Sequence, residues 1–201
     1  MPAVSIVYPI VEGHGEVEAV PVLLRRIAME FEKYDLRVES PYRLPRGSML
    51  HSEEKLNAAL RLAAGRLLAT GLPSGIVVCH DANGDTVEDL REQLRPRLAL
   101  VDDRIKVHHA IPVREYEAWF LAAAESFRDH PRCRPDAPLI ANAEEIRGAK
   151  EAFQRSILRD GEYYSETVDQ SRFTSIFDLK LAMRCVSFES LMIEMETWFT
   201  E

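Results

Sequence analysis

Residues 76–85 read I-V-V-C-H-D-A-N-G-D, and no other stretch limits the fold of this chain so sharply. Four apolar residues, β-branched or Cys, follow the punctuation of Pro73 and Gly75. Such a run predicts a short strand buried on both faces, as found in the middle of a parallel sheet. It stops abruptly in Asp81, Asn83 and Asp85, three oxygen-bearing side chains at alternate positions around Gly84. In open α/β sheets ligands sit just beyond the carboxyl ends of the strands. An acidic loop there would draw a hard cation such as Mg²⁺, which takes oxygen ligands.

The rest of the chain supplies a sheet to hold this loop. Residues 4–11 predict a first strand, and Glu12-Gly13-His14-Gly15-Glu16 a tight turn. A helix is expected over 17–33, with Val20, Leu23, Leu24, Ile27 and Phe31 on one face. A second strand is expected over 36–44, weakened by Pro41, then a loop to Ser52 carrying Arg43 and Arg46. Helices over 52–71 and 87–98 flank the central strand at 76–79, the second capped at Asp85-Thr86. A fourth strand at 105–113 leads into a helical pattern at 114–121. This alternation predicts an α/β fold, a mostly parallel sheet of about four strands flanked by helices. Residues 126–141 are irregular, and helical segments follow near 143–158, 175–184 and 188–199. We therefore expect an α/β domain over 1–125 and a mainly helical C-terminal extension over 126–201, packed as one globular unit.

Composition narrows the class without deciding the function. With 201 residues, 46% hydrophobic and 29% charged, the chain is long enough to bury a core. No apolar run is long enough for a membrane span. The opening M-P-A-V-S-I-V-Y-P has no basic segment and predicts no signal peptide. Cys79, Cys133 and Cys185 are odd in number and widely spaced, which suits a reducing cytoplasm. A net charge of −8 argues against nucleic-acid binding over the whole surface but leaves room for a local basic groove. The sequence leaves the oligomeric state open, a homo-oligomer included.

Gly13 and Gly15 give half of a G-x-G-x-x-G phosphate cradle, but Glu18 stands at the third glycine position and Glu12 and Glu16 would repel a phosphate. A dinucleotide site is therefore excluded. Glu12 instead ends the first strand as Asp81 ends the third, and these strands are neighbours in a common doubly wound order. Glu12, Asp81 and Asp85 could then share one or two divalent cations. Taken singly, Glu12 and Glu16 are more often helix-start caps than ligands. Two acidic turns at two buried strand ends shift that balance, because packed like charges cost stability unless a cation offsets them.

Asp81-x-Asn83-x-Asp85 also opens like a calcium loop, but Thr86 stands where an EF-hand needs Gly. His80, His108 and His109 lack a matching Cys pair, and core or supporting roles fit them better than zinc. Glu115 and Glu117, on a helix, would lie on different faces, so only one would reach a site. Trp119 and Phe120 read as core. Arg43 and Arg46, in a flexible-looking loop, are candidates for phosphate contacts, though a solvated surface accounts for each singly.

V-E-G-H-G-E after the first strand, H-D-A-N-G-D after the central one and V-R-E-Y-E-A-W-F-L-A after the fourth resemble the DUF4276 proteins of bacteria and archaea. The late Y-Y-S-E-T-V-D-Q and V-S-F-E-S-L segments extend the resemblance over nearly the whole chain. It implies a Rossmann-like, TOPRIM-like fold, similar to the TOPRIM nuclease part of OLD-family endonucleases. It also implies Mg²⁺ or Mn²⁺ as cofactor, Glu12 as a catalytic acid/base or ligand, and Asp81 and Asp85 as ligands. Glu16 matches the second Glu of the E-G-x-x-E pattern, while Asn83 replaces the middle acid of D-x-D with a neutral oxygen donor. Glu117, Glu115 and His80 are secondary candidates. Family members are often encoded beside an ABC/SMC-like ATPase, in some cases in what resemble phage-defence or toxin modules.

The expected function is thus a metal-dependent nuclease acting on DNA or RNA, with Glu12 managing a proton. A rival from another class is a non-catalytic regulatory subunit docked on an ATPase partner. An aspartate-nucleophile phosphatase ranks last, because that loop normally follows the first strand, which here carries Glu12.

Overall fold

The computed structural model describes residues 5–200; Val4, read above as the start of the first strand, lies outside them. Ile6–Val11 forms β1 and Ser74–Cys79 forms β4, each buried along its whole length. They pair in parallel from Ile6 opposite Ser74 to Val11 opposite Cys79. Ile105–Ala110, β5, adds in parallel to the far side of β4. On the other side of β1 the expected single strand is two short ones, β2 (Arg37–Val38) and β3 (Tyr42–Arg43), both parallel to β1. The result is an all-parallel sheet of five strands, two of them sharing one edge, and the fold class read from the sequence holds.

Two prolines explain the broken edge. Ser5, Val7 and Val11 accept from Arg37, Glu39 and Leu44 through their carbonyls, so odd residues of β1 face that edge. Pro9 is the odd residue without an N–H, and Pro41 lies between β2 and β3. The edge breaks where neither chain can donate.

Alternation along the strands divides the core between two helical layers. Ile6, Tyr8, Ile10, Ile76 and Val78 pack against α2 (Arg46–His51), α3 (Glu53–Leu68) and α4 (Val87–Leu98). Val7, Val11, Val77 and Cys79 face α1 (His14–Glu30) and the C-terminal helices. These are α5 (Glu117–Ala122), α6 (Ala149–Ser156), α7 (Glu166–Thr174), α8 (Leu179–Ala182) and α9 (Val186–Thr200). Phe120, Phe127, Phe153, Phe173 and Phe177 interlock there, with neighbouring ring centroids 4.9–6.3 Å apart. The helices of 126–200 therefore share one apolar core with the sheet.

Several boundaries moved for local reasons. Gly75 lies within β4 rather than before it, and the Trp198 indole fills the space its missing side chain leaves, 3.3 Å from where a Cβ would sit. The helix expected over 143–158 is split by Gly148, whose φ of 64° lies in the left-handed region. Its first part is one 3₁₀ turn, Ala143–Glu145. Helix α7 has no apolar periodicity to announce it. Its start is held by Asp169, whose Oδ2 accepts from the Ser165 amide at 2.9 Å, and its length packs along α1.

That packing is close enough to test. A Cβ on Gly15 would stand 2.2 Å from Gln170 Oε1 and 3.0 Å from the Glu166 carbonyl, whereas one on Gly65 in α3 would meet nothing within 4 Å. Gly15→Ala should cost about 1–3 kcal/mol by overpacking. Gly65→Ala should gain about 0.5–1 kcal/mol from helix propensity. Urea unfolding measures both; equal stabilities for the two variants would refute this view of the α1–α7 contact.

Candidate functional site

The β1–β4 register brings Glu12 and Asp81 close, since Glu12 follows Val11 directly and Asp81 lies two residues beyond its partner Cys79. Glu12 Oε2 accepts from the Asp81 amide at 3.3 Å. Asp81 follows the parity of Val77 and Cys79 and lies on the α1 side of the sheet. The residue is partly exposed, yet its Oδ1 is enclosed and accepts no hydrogen bond. Burial pushes the Asp81 carboxyl well above its ordinary range, and Glu16, Glu117, Glu12 and Glu115 each add to the rise. All four glutamates proposed from the sequence therefore act on one aspartate.

Each glutamate is held differently. Glu16, in the first turn of α1, is 7% exposed. Burial raises its pKa, opposed by hydrogen bonds from its own amide and that of Gly13, and raised further by Glu12 and Glu166. Bonding to the N-cap amide is half of a capping box, so the structural role and closeness to Asp81 coexist in one side chain. A Cβ on Gly13 would fall on the Glu16 carboxylate, so a larger residue there would push Glu16 aside. Glu12 is raised by burial, then lowered by Arg46, by the Asp81 amide and by Arg43.

Glu115 and Glu117 do not divide between helix faces as expected, because α5 begins only at Glu117. Glu115, in the turn before it, accepts from the Lys150 amide at 2.9 Å. Glu117 is 2% exposed, and its Oε1 accepts from Tyr164 Oη at 2.7 Å and Gln170 Nε2 at 3.3 Å. Burial is the main cause that raises it to about 7, with Glu166 and Glu115 adding and the Tyr164 bond opposing. Tyr164 and Gln170 were not singled out singly, although both stand in the Y-Y-S-E-T-V-D-Q segment.

The other loop residues point elsewhere. Asn83 and Gly84 have φ of 53° and 109°, so an Asn-Gly turn is what this backbone requires. The Ala82 and Asn83 amides donate to the carbonyls of Pro112 and Arg114, at 2.9 and 3.0 Å, strapping the loop to the segment after β5. Asn83 and Asp85 are exposed. Asp85 pairs with Arg46, whose guanidinium also donates to the Asp81 and Ala82 carbonyls. Arg46 opens α2 instead of lying in a loose loop, and it clamps the acidic turn; Arg43 lies exposed on β3.

His80 and His109 hydrogen-bond through their Nε2 atoms at 2.8 Å. Burial lowers them to about 4 and about 3, so both rings are neutral at pH 7. His108 faces the opposite side, toward Trp198. Arg114, missed from the sequence, packs against Gly84 and keeps a buried, unpartnered Nε. Its place immediately before Glu115 in V-R-E-Y-E was the available signal.

The chain matches the DUF4276 model, a domain of unknown function, over residues 11–196. It belongs to this family. No curated protein matches the chain. Among solved structures, the C-terminal region of the Burkholderia pseudomallei OLD protein is similar at 14% identity and a TM-score of 0.38, over 99% of this chain and 100% of that one. The C-terminal region of the Xanthomonas campestris pv. campestris OLD protein is similar at 15% identity and a TM-score of 0.40, over 98% and 96%. In this DUF4276 chain no helix among the described residues is long and apolar enough to cross a membrane.

An all-oxygen donor set with an unpartnered buried carboxylate oxygen suits a hard divalent cation. Among the described residues no three such side chains are already gathered at metal-holding distances. Glu12 spends its oxygen on the Asp81 amide and would have to turn toward the Asp81 carboxyl.

The raised carboxyls make stability depend on pH. Glu117 binds its proton more tightly in the folded protein, about 7 against an ordinary 4.5. Its contribution is therefore full below pH 4.5 and is lost as pH rises through 7. In EDTA, Glu117→Gln should match wild type near pH 5 and exceed it at pH 8 by about 1–3 kcal/mol. Urea unfolding at both values measures this, and a constant difference would refute it.

Proposed function

We propose that this DUF4276 chain is a divalent-metal-dependent phosphodiester hydrolase of TOPRIM type, a nuclease acting on DNA or RNA. One observation carries the reading. The Asp81 Oδ1 is enclosed, without a hydrogen bond, among the charges of Glu12, Glu16, Glu115 and Glu117 at the carboxyl edge of a parallel sheet. A stack of carboxyls is stable at neutral pH only if it keeps protons or meets a cation.

Glu12 and Asp81 would hold the cation, with Glu16 behind them. Mg²⁺ or Mn²⁺ bound there would supply positive charge to a phosphate and acidify a water. Glu12, its pKa raised by burial, would take a proton from the attacking water. Glu117 sets the local charge from its bonds to Tyr164 and Gln170. Arg46 fixes the turn that carries Asp81, and Asp85 serves as the other half of that clamp.

Supercoiled plasmid, single-stranded DNA and RNA incubated with Mg²⁺ or Mn²⁺ should be cut by wild type. Glu12→Gln and Asp81→Asn should each lose about 10²-fold or more. Mg²⁺ should also raise the Tm of wild type and leave that of Asp81→Asn unchanged. Cleavage that persists in both variants, or no response of the wild-type Tm to either metal, would defeat the assignment.

A further inference from the structure

β5 is the open edge of the sheet among the described residues, and it lies between helices on opposite faces, α4 on one side and α9 on the other. Along it run two hollows of about 570 and 540 Å³, which share Arg91. The upper one borders Gly84, Asp85 and Arg114 and so opens onto the acidic turn; the lower one is lined by Arg95, His108 and Trp198. Arg91 and Arg95 are one helical turn apart on the exposed face of α4, a basic pair in a chain of net charge −8.

One detail indicates an anion between these walls. Glu194 reaches from α9 to Arg91 at 3.4 Å and to His108 Nδ1 at 3.7 Å, both long for their kind. A carboxylate thus stands loosely at the one point where cationic and imidazole groups from α4 and β5 converge. That is where a phosphate would sit.

We propose that this groove carries a single strand of nucleic acid into the acidic site. Phosphates would contact Arg95 and Arg91 in turn and then Arg114, displacing Glu194 from Arg91. The inference rests on the phosphodiesterase reading, which supplies a polyanion as substrate. Two hollows that meet at Arg91 along one strand edge lie on a single line, which suits one strand. Cationic grooves that track a backbone are the usual means of holding single strands.

The test uses fluorescence anisotropy with labelled single-stranded and duplex DNA of equal length. EDTA is present throughout, so that binding does not depend on cleavage. Wild type should bind the single strand more tightly than the duplex. Arg91→Ala/Arg95→Ala, at two exposed positions and checked for an unchanged Tm, should weaken single-strand binding at least about tenfold and flatten the salt dependence by about two phosphate contacts. Glu194→Gln should tighten binding, because it removes the competing anion. Preference for the duplex, wild-type affinity in the double variant, or weaker binding by Glu194→Gln would each overturn the groove. A protein that binds single strands in this way but cuts nothing would leave the groove standing and remove only the nuclease. One that cuts while the groove variants behave as wild type would do the reverse.

Discussion

In the central pair of the sheet, Val11 sits opposite Cys79, and that register is set by six consecutive residue pairs. A strand buried on both faces cannot slip by one residue without turning every side chain to the wrong layer. The alignment is therefore secured by the apolar core on either side, not by anything at its end. Glu12 and Asp81 inherit their proximity from it. Like charges are brought together by a large hydrophobic gain distributed over the strands, and the local electrostatic cost is borne at the strand ends.

The acidic edge is stabilised by neighbours drawn from distant parts of the chain. Arg46 of α2 holds the turn through backbone carbonyls, and the segment after β5 straps it from the opposite side. Tyr164, just before α7, and Gln170, within it, hold Glu117. The extension is thus part of the site's wall, as well as of the aromatic core beneath it. His80 and His109 form a neutral hydrogen-bonded pair on the opposite face of the sheet, behind the turn.

Geometry also separates the acidic residues that look equivalent in H-D-A-N-G-D. Asp81 points into the protein, while Asp85 emerges to meet Arg46. Asn83 owes its place to a backbone that turns through positive φ, a conformation asparagine tolerates and most residues do not. A neutral residue at that position is explained by the turn, whatever it contributes to a cation.

By itself the sequence determined the parallel sheet, the two helical layers and the acidic strand ends. β-branched apolar runs and the Pro and Gly that punctuate them are local signals, and Glu12, Glu16 and Asp81 stand close beside them. It also pointed to both glutamates of R-E-Y-E, though the helix argument that split them failed once α5 proved to start at Glu117. Only the tertiary structure decided the remainder. Helix α7, the split second strand, the clamp by Arg46 and the groove beside β5 depend on contacts between residues dozens of positions apart. The rise of Glu117 to about 7 does so too. Its cause is burial, which no residue carries in its own identity and which exists only once the chain has closed around it.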